Sequence, residues 1–321
     1  MNRNVTGCLS FAVAALCLMP LTSCTRQVMK VAVIPQTTGE TIWEAEHAGA
    51  EFAADKSKVK IYWNAPTSED DIQQQGSLIE RIIDEKYSAL ILAPDQTIAL
   101  MAPVQRALAH GIRTIVVASP LTLPASRDLS YIVNDDQASG RTAAMRIGQI
   151  LHGRGRVAVL GVTAESLSSL AILHSFETTL ETKFPGIVIS DRRFATHNGT
   201  EAQQVADEIL SSDHELDAIF TLSAASSGGA FAALQARGLT SRIKLVGFEQ
   251  NVELANLVRL GEMDSLIAEH TYEMGFRAMQ LLREAPQETP QDIKLEPTLL
   301  TIENIDSPAM KTLINIDWSK Q

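Results

Sequence analysis

The chain has 321 residues, a formal net charge of −11 and an aromatic content of only 5%. A chain this acidic, without a Lys/Arg-rich run, would be repelled by nucleic-acid phosphates, so a nucleic-acid partner is excluded. After residue 24 no apolar stretch approaches the roughly 20 residues that a spanning helix needs.

In chain order, the first segment has the form of an export leader. Arg3 supplies positive charge, residues 9–19 form an apolar run, and Leu21-Thr22-Ser23-Cys24 closes it. All three cysteines, Cys8, Cys17 and Cys24, fall inside this leader. Its end resembles a bacterial lipobox, which predicts cleavage before Cys24, lipidation of its thiol and a location in the periplasm or cell envelope. Membrane attachment would then be through lipid alone. An ordinary secretory leader with an incidental Cys24 is the alternative.

From residue 28 short apolar runs alternate with amphipathic stretches. Residues 28–35 read as a buried strand, and 42–55 have helical spacing through Trp43, His47, Ala50 and Ala54. Strands at 58–63, 89–92 and 114–117 alternate with helices at 72–84 and 101–109. The second half repeats the rhythm, with helices at 138–151, 170–183, 202–210, 229–236 and 252–260. Its strands are expected at 157–160, 188–189, 218–222, 244–248 and 265–268. Gly111, Gly153, Gly238 and Gly261 read as helix stops. Helix 272–283 and strand 298–302 remain over. The segment between them, 284–296, is rich in Pro and charge and reads as a loop.

Continuous β-branched runs argue for parallel strands covered on both faces. Strict βα alternation with a break near 131–136 predicts an α/β protein of two doubly wound, Rossmann-like lobes. The helix at 272–283 could return to the first lobe. In the tail, Leu313, Ile314, Ile316 and Trp318 are expected to pack on a lobe or hinge.

The residues also carry a family likeness. Val31-Ala32-Val33-Ile34-Pro35-Gln36-Thr37-Thr38 with Trp43 and Ala48-Gly49-Ala50 resembles the first βα unit of type I periplasmic sugar-binding proteins, the ribose/galactose class. The likeness continues in order through Ala89-Leu90-Ile91-Leu92-Ala93-Pro94-Asp95, Asn134-Asp135-Asp136 with Gly140-Arg141, Leu245-Val246-Gly247-Phe248-Glu249 and Tyr272-Glu273-Met274-Gly275. It covers about residues 28–306. It implies an N-terminal lobe of 28–134 plus 271–297 and a C-terminal lobe of 135–270 plus 298–306, joined by three hinge strands and followed by a tail at 307–321. It also implies a monomer that closes over a small ligand and delivers it to an ABC permease or a membrane sensor, with no cofactor, metal or catalysis.

Several sugar-site groups of that family are replaced here. Ala118-Ser119 stands where an Asp should follow the strand at 114–117, and Leu170 sits near the register of a chelating Arg. Ser223 replaces an Asn, Glu249 an Asp and Glu269 a Gln, and a second stacking aromatic expected near Thr196 is missing. The resemblance therefore places the ligand site at Gln36, Thr37, Glu40, Trp43, Asp95, Ser119, Asp135, Ser223, Glu249 and Glu269. Without the Arg fork these are mainly acceptors, which predicts a neutral or cationic ligand rather than a sugar acid or phosphate.

Each residue also has a plainer role. Trp43 could be core, residues 36–38 a turn leading into a helix, Asp135 and Asp136 helix caps, and Glu249 a solvated loop acid. The seven histidines show no metal-binding spacing, and Asn198-Gly199-Thr200 reads as a turn before a helix. A dinucleotide site would need three spaced glycines where residues 35–41 offer Gly39 alone. Paired cleft carboxylates leave glycoside hydrolysis as the enzymatic alternative. A lipid-anchored sensor with a diverged site is the other.

Overall fold

The computed structural model describes Met1 and residues 28–38, 41–55, 58–68, 71–164, 166–194, 198–286 and 289–315. Cys24 and the rest of the leader lie outside the described residues, as do Glu40, Thr196, Ile316 and Trp318.

The first sheet contains β1 (Met29–Ile34), β2 (Val59–Trp63), β3 (Ala89–Leu92), β4 (Arg113–Ala118), β5 (Leu129–Asn134) and β11 (Asp292–Leu295). Its order is β11-β5-β4-β3-β1-β2, and every pairing is parallel. Its inner strands β1, β3 and β4 are largely apolar because helices cover both faces. Val31 and Val33 of β1 pack in one core with Trp43, Met274 and Met279, while Ala32 and Ile34 face the other with Leu78, Ile82 and Val104.

The second sheet holds β6 (Arg154–Val162), β7 (Gly186–Phe194), β8 (Ala218–Thr221), β9 (Lys244–Phe248), β10 (Ser265–Ala268) and β12 (Thr298–Thr301), in the order β12-β10-β9-β8-β6-β7. Only β12 runs antiparallel to its neighbour among these pairings. It too has a core on each face, one around Leu245 and Leu266, the other around Phe176 and Phe220.

The chain crosses between lobes three times: from β5 into α4 (Asp136–Ile150), from β10 into α9 (Thr271–Arg283), and from β11 to β12. Each lobe is thus completed by a helix that begins in the other. α9 returns to the first sheet and packs against α1 (Thr41–Ala53), burying Met274, Ala278 and Leu282. α4 does the same in the second lobe against α5 (Leu167–Lys183). Glycine permits both contacts: a Cβ on Gly275 would lie 1.9 Å from the Glu46 carbonyl oxygen, and one on Gly140 2.3 Å from that of Ile172. The four helix-stop glycines all have left-handed backbone, with φ of 77° at Gly111, 79° at Gly153, 64° at Gly238 and 73° at Gly261.

Three expectations are corrected. Segment 284–296 is not all loop, because β11 lies within it as an edge strand beside β5. Ile293 and Leu295 alternate with Asp292 and Lys294, the charge of an edge strand disguising its apolar side. β5 fills the expected break, and all six of its residues are buried. β7 spans nine residues rather than two, its far half carrying Asp191, Arg192 and Arg193 on the opposite edge. In the tail, α10 (Pro308–Ile314) packs Met310, Leu313 and Ile314 on the second lobe's core.

Candidate functional site

Loops at the carboxyl ends of both sheets face one gap between the lobes, a cavity of about 510 Å³. That volume suits a small organic ligand. The first lobe contributes Gln36, Trp43, Asp95, Ser119 and Asn134. The second contributes the serines at the start of α5, then Phe194, Ser223, Phe248, Glu249 and Glu269.

The first-lobe loops are set by one buried amide. Gln75 on α2 (Ile72–Asp84) donates to the carbonyl oxygens of Pro35 (2.9 Å) and Ala93 (2.8 Å), and accepts from the Asp95 N–H (3.0 Å). Gln36 adds a second tie by donating to Pro94 O at 3.0 Å. The loops after β1 and β3 are therefore fixed to one helix and to each other. Trp43 packs its ring in the core yet also lines the cavity, and its Nε1 has no hydrogen-bond partner although the residue is only 5% exposed.

In the second lobe the strand-end loops are organised as helix caps. Ser166 caps α5 by accepting from Ser169 N–H, and Ser169 Oγ in turn accepts from Thr163 N–H at 2.9 Å. Ser223 caps α7 (Ala224–Ala236), accepting from Ser226 N–H at 3.1 Å. Beside it, Glu249 Oε2 accepts from Ala224 N–H at 2.9 Å, where the helix end favours negative charge. Glu249 has a left-handed backbone, with φ 62°, and Ala118 has the same conformation at φ 61°. These residues end or follow β4 and β9, which hold the same position in the two sheets. Non-glycine residues in this region are strained and concentrate at functional sites.

Across the gap, Ser168 Oγ donates to Ser119 Oγ at 3.2 Å, joining the lobes directly. The hinge places two carboxyls together. Gln250 clamps the Glu269 backbone, donating to its carbonyl oxygen at 2.7 Å and accepting from its N–H at 2.9 Å. The Glu269 carboxyl is thereby held in a site where the residue is 7% exposed. Burial, with the neighbouring Asp136 charge adding to it, raises its pKa, against a hydrogen bond with Asn134. Asp136 is also shifted upward, first by burial and then by Asp135, opposed by Ser168 and Lys294. Burial and mutual repulsion both favour the neutral form in such a pair.

Of the residues expected at the site, Gln36, Trp43, Asp95, Ser119, Ser223, Glu249 and Glu269 are brought to this cavity. Thr37 is buried and does not line it, because the chain turns toward Pro66 after Gln36. Asp135 caps α4, accepting from Ala138 N–H at 2.9 Å, and lines a separate pocket on the hinge flank. Phe194, at the end of β7 and two residues before Thr196, also lines the cavity. Sequence reading also passed over Gln75, Asn134 and Ser168. A usable signal existed for Asn134, which opens the Asn-Asp-Asp hinge run, and for the three serines at 166, 168 and 169 at the start of a helix. Gln75 gave none, since its partners lie 18 to 40 residues away.

The sequence model of the periplasmic binding protein domain matches residues 31–288. The D-allose-binding periplasmic protein of Escherichia coli (strain K12) is 23% identical over 260 residues, covering 79% of this chain and 83% of its own. Two solved structures share the architecture at a TM-score of 0.83. One is a carbohydrate transporter solute-binding protein from Agrobacterium radiobacter in complex with D-arabinose, 21% identical and covering 90% of this chain and 99% of its own. The other is an ABC transporter solute-binding protein from Agrobacterium vitis with bound D-fucose, 23% identical and covering 89% of this chain and 100% of its own. With a family match across most of its length, two wound lobes and a shared gap at their strand ends, the chain belongs to the periplasmic binding protein family.

Proposed function

We propose that this protein is an extracytoplasmic solute-binding lipoprotein, anchored through Cys24, that captures a small sugar-like molecule between its lobes and delivers it to an ABC permease. The observation that carries this reading is the interlobe cavity itself. It combines hydroxyls and carboxylates from both sheets with the aromatic residues Trp43, Phe194 and Phe248. Rings that stack on C–H faces and acceptors that take hydroxyl protons form the complement of a polyol. Gln36, Trp43, Asp95, Ser119, Ser223, Glu249 and Glu269 are the residues we assign to the ligand, with Asn134 and Phe194 added. Closure would be driven by ligand contacts made with both lobes at once. Relatives named for D-allose, and for D-ribose and D-allose, support the ligand class.

The lining described here contains no Lys, Arg or His. An anionic sugar would meet only carboxylates, dipoles and ring faces, so the reading extends to neutral or cationic ligands. A thermal-shift screen of neutral sugars, polyols, amino sugars, uronic acids and sugar phosphates tests it. A true ligand at 100-fold its Kd adds about 2.7 kcal/mol to stability. Stabilisation by neutral or amine members alone is expected. Micromolar binding of a uronic acid or sugar phosphate, or silence across the whole panel, would contradict it.

A further inference from the structure

Resting on the sugar-like reading above, we infer that the cognate ligand is a polyhydroxylated amine whose ammonium group is received by Glu269 at the hinge. Three observations converge on positive charge. The described cleft wall holds Asp95, Glu249 and Glu269 and no basic side chain. Trp43, Phe194 and Phe248 also line the same space, and aromatic faces attract cations as carboxylates do. Behind Glu269 stands a second acid, Asp136, one of whose carboxyl oxygens is buried without a hydrogen-bond partner.

The hydroxyls of the sugar-like reading meet the same wall. Ser119, Ser223 and Asn134 line the cavity with Glu269, and a hydroxylated amine brings donors and acceptors to all of them in one molecule.

The groups facing the receiving carboxyl are few. Asp136 approaches Glu269 from α4, the Asn134 side chain hydrogen-bonds to it from the end of β5, and Gln250 holds its backbone from the loop after β9. Asp136 itself meets Ser168 of α5, Asp135, and Lys294 of β11. Burial and mutual repulsion favour a protonated carboxyl in this pair when no ligand is bound. An ammonium supplies the missing positive charge, so that proton leaves to solvent as the amine enters. Binding of a neutral polyol requires no such release.

Calorimetry on the full mature chain with matched pairs tests this: D-glucosamine and D-glucose, D-galactosamine and D-galactose, 1-amino-1-deoxysorbitol and sorbitol. In at least one pair the amine should bind roughly tenfold tighter or better. Titration in two buffers of different ionisation enthalpy should show about one proton released with the amine and none with its parent. Glu269→Gln, checked for folding by circular dichroism, should reduce the amine-to-parent ratio at least about fivefold and abolish the proton release. Parents binding as tightly as amines in every pair that binds, or amine binding without proton release, would overturn the inference while leaving the polyol reading intact. If neither member of any pair binds, the inference falls, while the sugar-like reading stands or falls with the wider screen.

Discussion

Glu46 lies one turn along α1 from Trp43, completely buried, with neither carboxyl oxygen hydrogen-bonded. Burial pushes its pKa from 4.5 up to about 8. In the unfolded chain it ionises near the lower value, whereas in the folded protein it keeps its proton until the higher one. Its contribution to stability is therefore fully present below pH 4.5 and is lost progressively as pH rises to about 8, by a few kcal/mol in all. Glu46→Gln removes the titration. Melting temperatures measured from pH 5 to 9 should move in favour of the variant as pH increases, and parallel curves for the two proteins would refute this role. Glu269 and Asp136 act in the same direction but are present in both proteins. At this scale much of the site was legible where a residue follows a strand, as Asp95, Ser119, Ser223 and Glu249 do. Thr37 and Asp135 lie outside the cavity for a local reason: their neighbours Gln36 and Asn134 take the positions that face the gap.

Helix pairing is the main event at the scale of elements. α9 reaches α1 because Gly49 and Gly275 let backbones meet, a Cβ on Gly49 being 2.0 Å from the Tyr272 carbonyl oxygen. α4 seats on α5 through Gly140 in the same way. A methyl at Gly275 must push the helices apart or distort the backbone, at about 2 kcal/mol. Gly76, inside α2, has only Pro103 Cγ at 3.9 Å. There alanine should stabilise by about 0.5–1 kcal/mol through helix propensity. Chemical denaturation of Gly275→Ala and Gly76→Ala should thus give shifts of opposite sign, and equal effects would show that these close approaches do not govern packing. Most elements could be read from sequence because both faces of each sheet are covered, giving unbroken apolar runs such as those of β1, β3 and β8. Edge strands were harder. β11 and the far half of β7 carry charge on their open sides, so their patterns merge with those of loops.

For the whole molecule, the lobes exchange helices at two of three crossings, so neither half is built from one continuous stretch of chain. The crossings carry Asn134, Asp136 and Glu269, and these groups stand beside the gap that the lobes share. Ser119 and Ser168 already touch across it. The order of βα units made two lobes legible. Which strand-end groups would meet across the gap was not, because that depends on the angle at which the crossings set the lobes. Hydrogen exchange with and without the tightest-binding sugar, polyol or amine of the screen measures this most directly. Clamping between lobes predicts slower exchange, at once, in the loops at 35–38 and 118–120 of the first lobe and at 163–169 and 249–251 of the second. Slowing confined to one lobe, or to surfaces away from the gap, would contradict it.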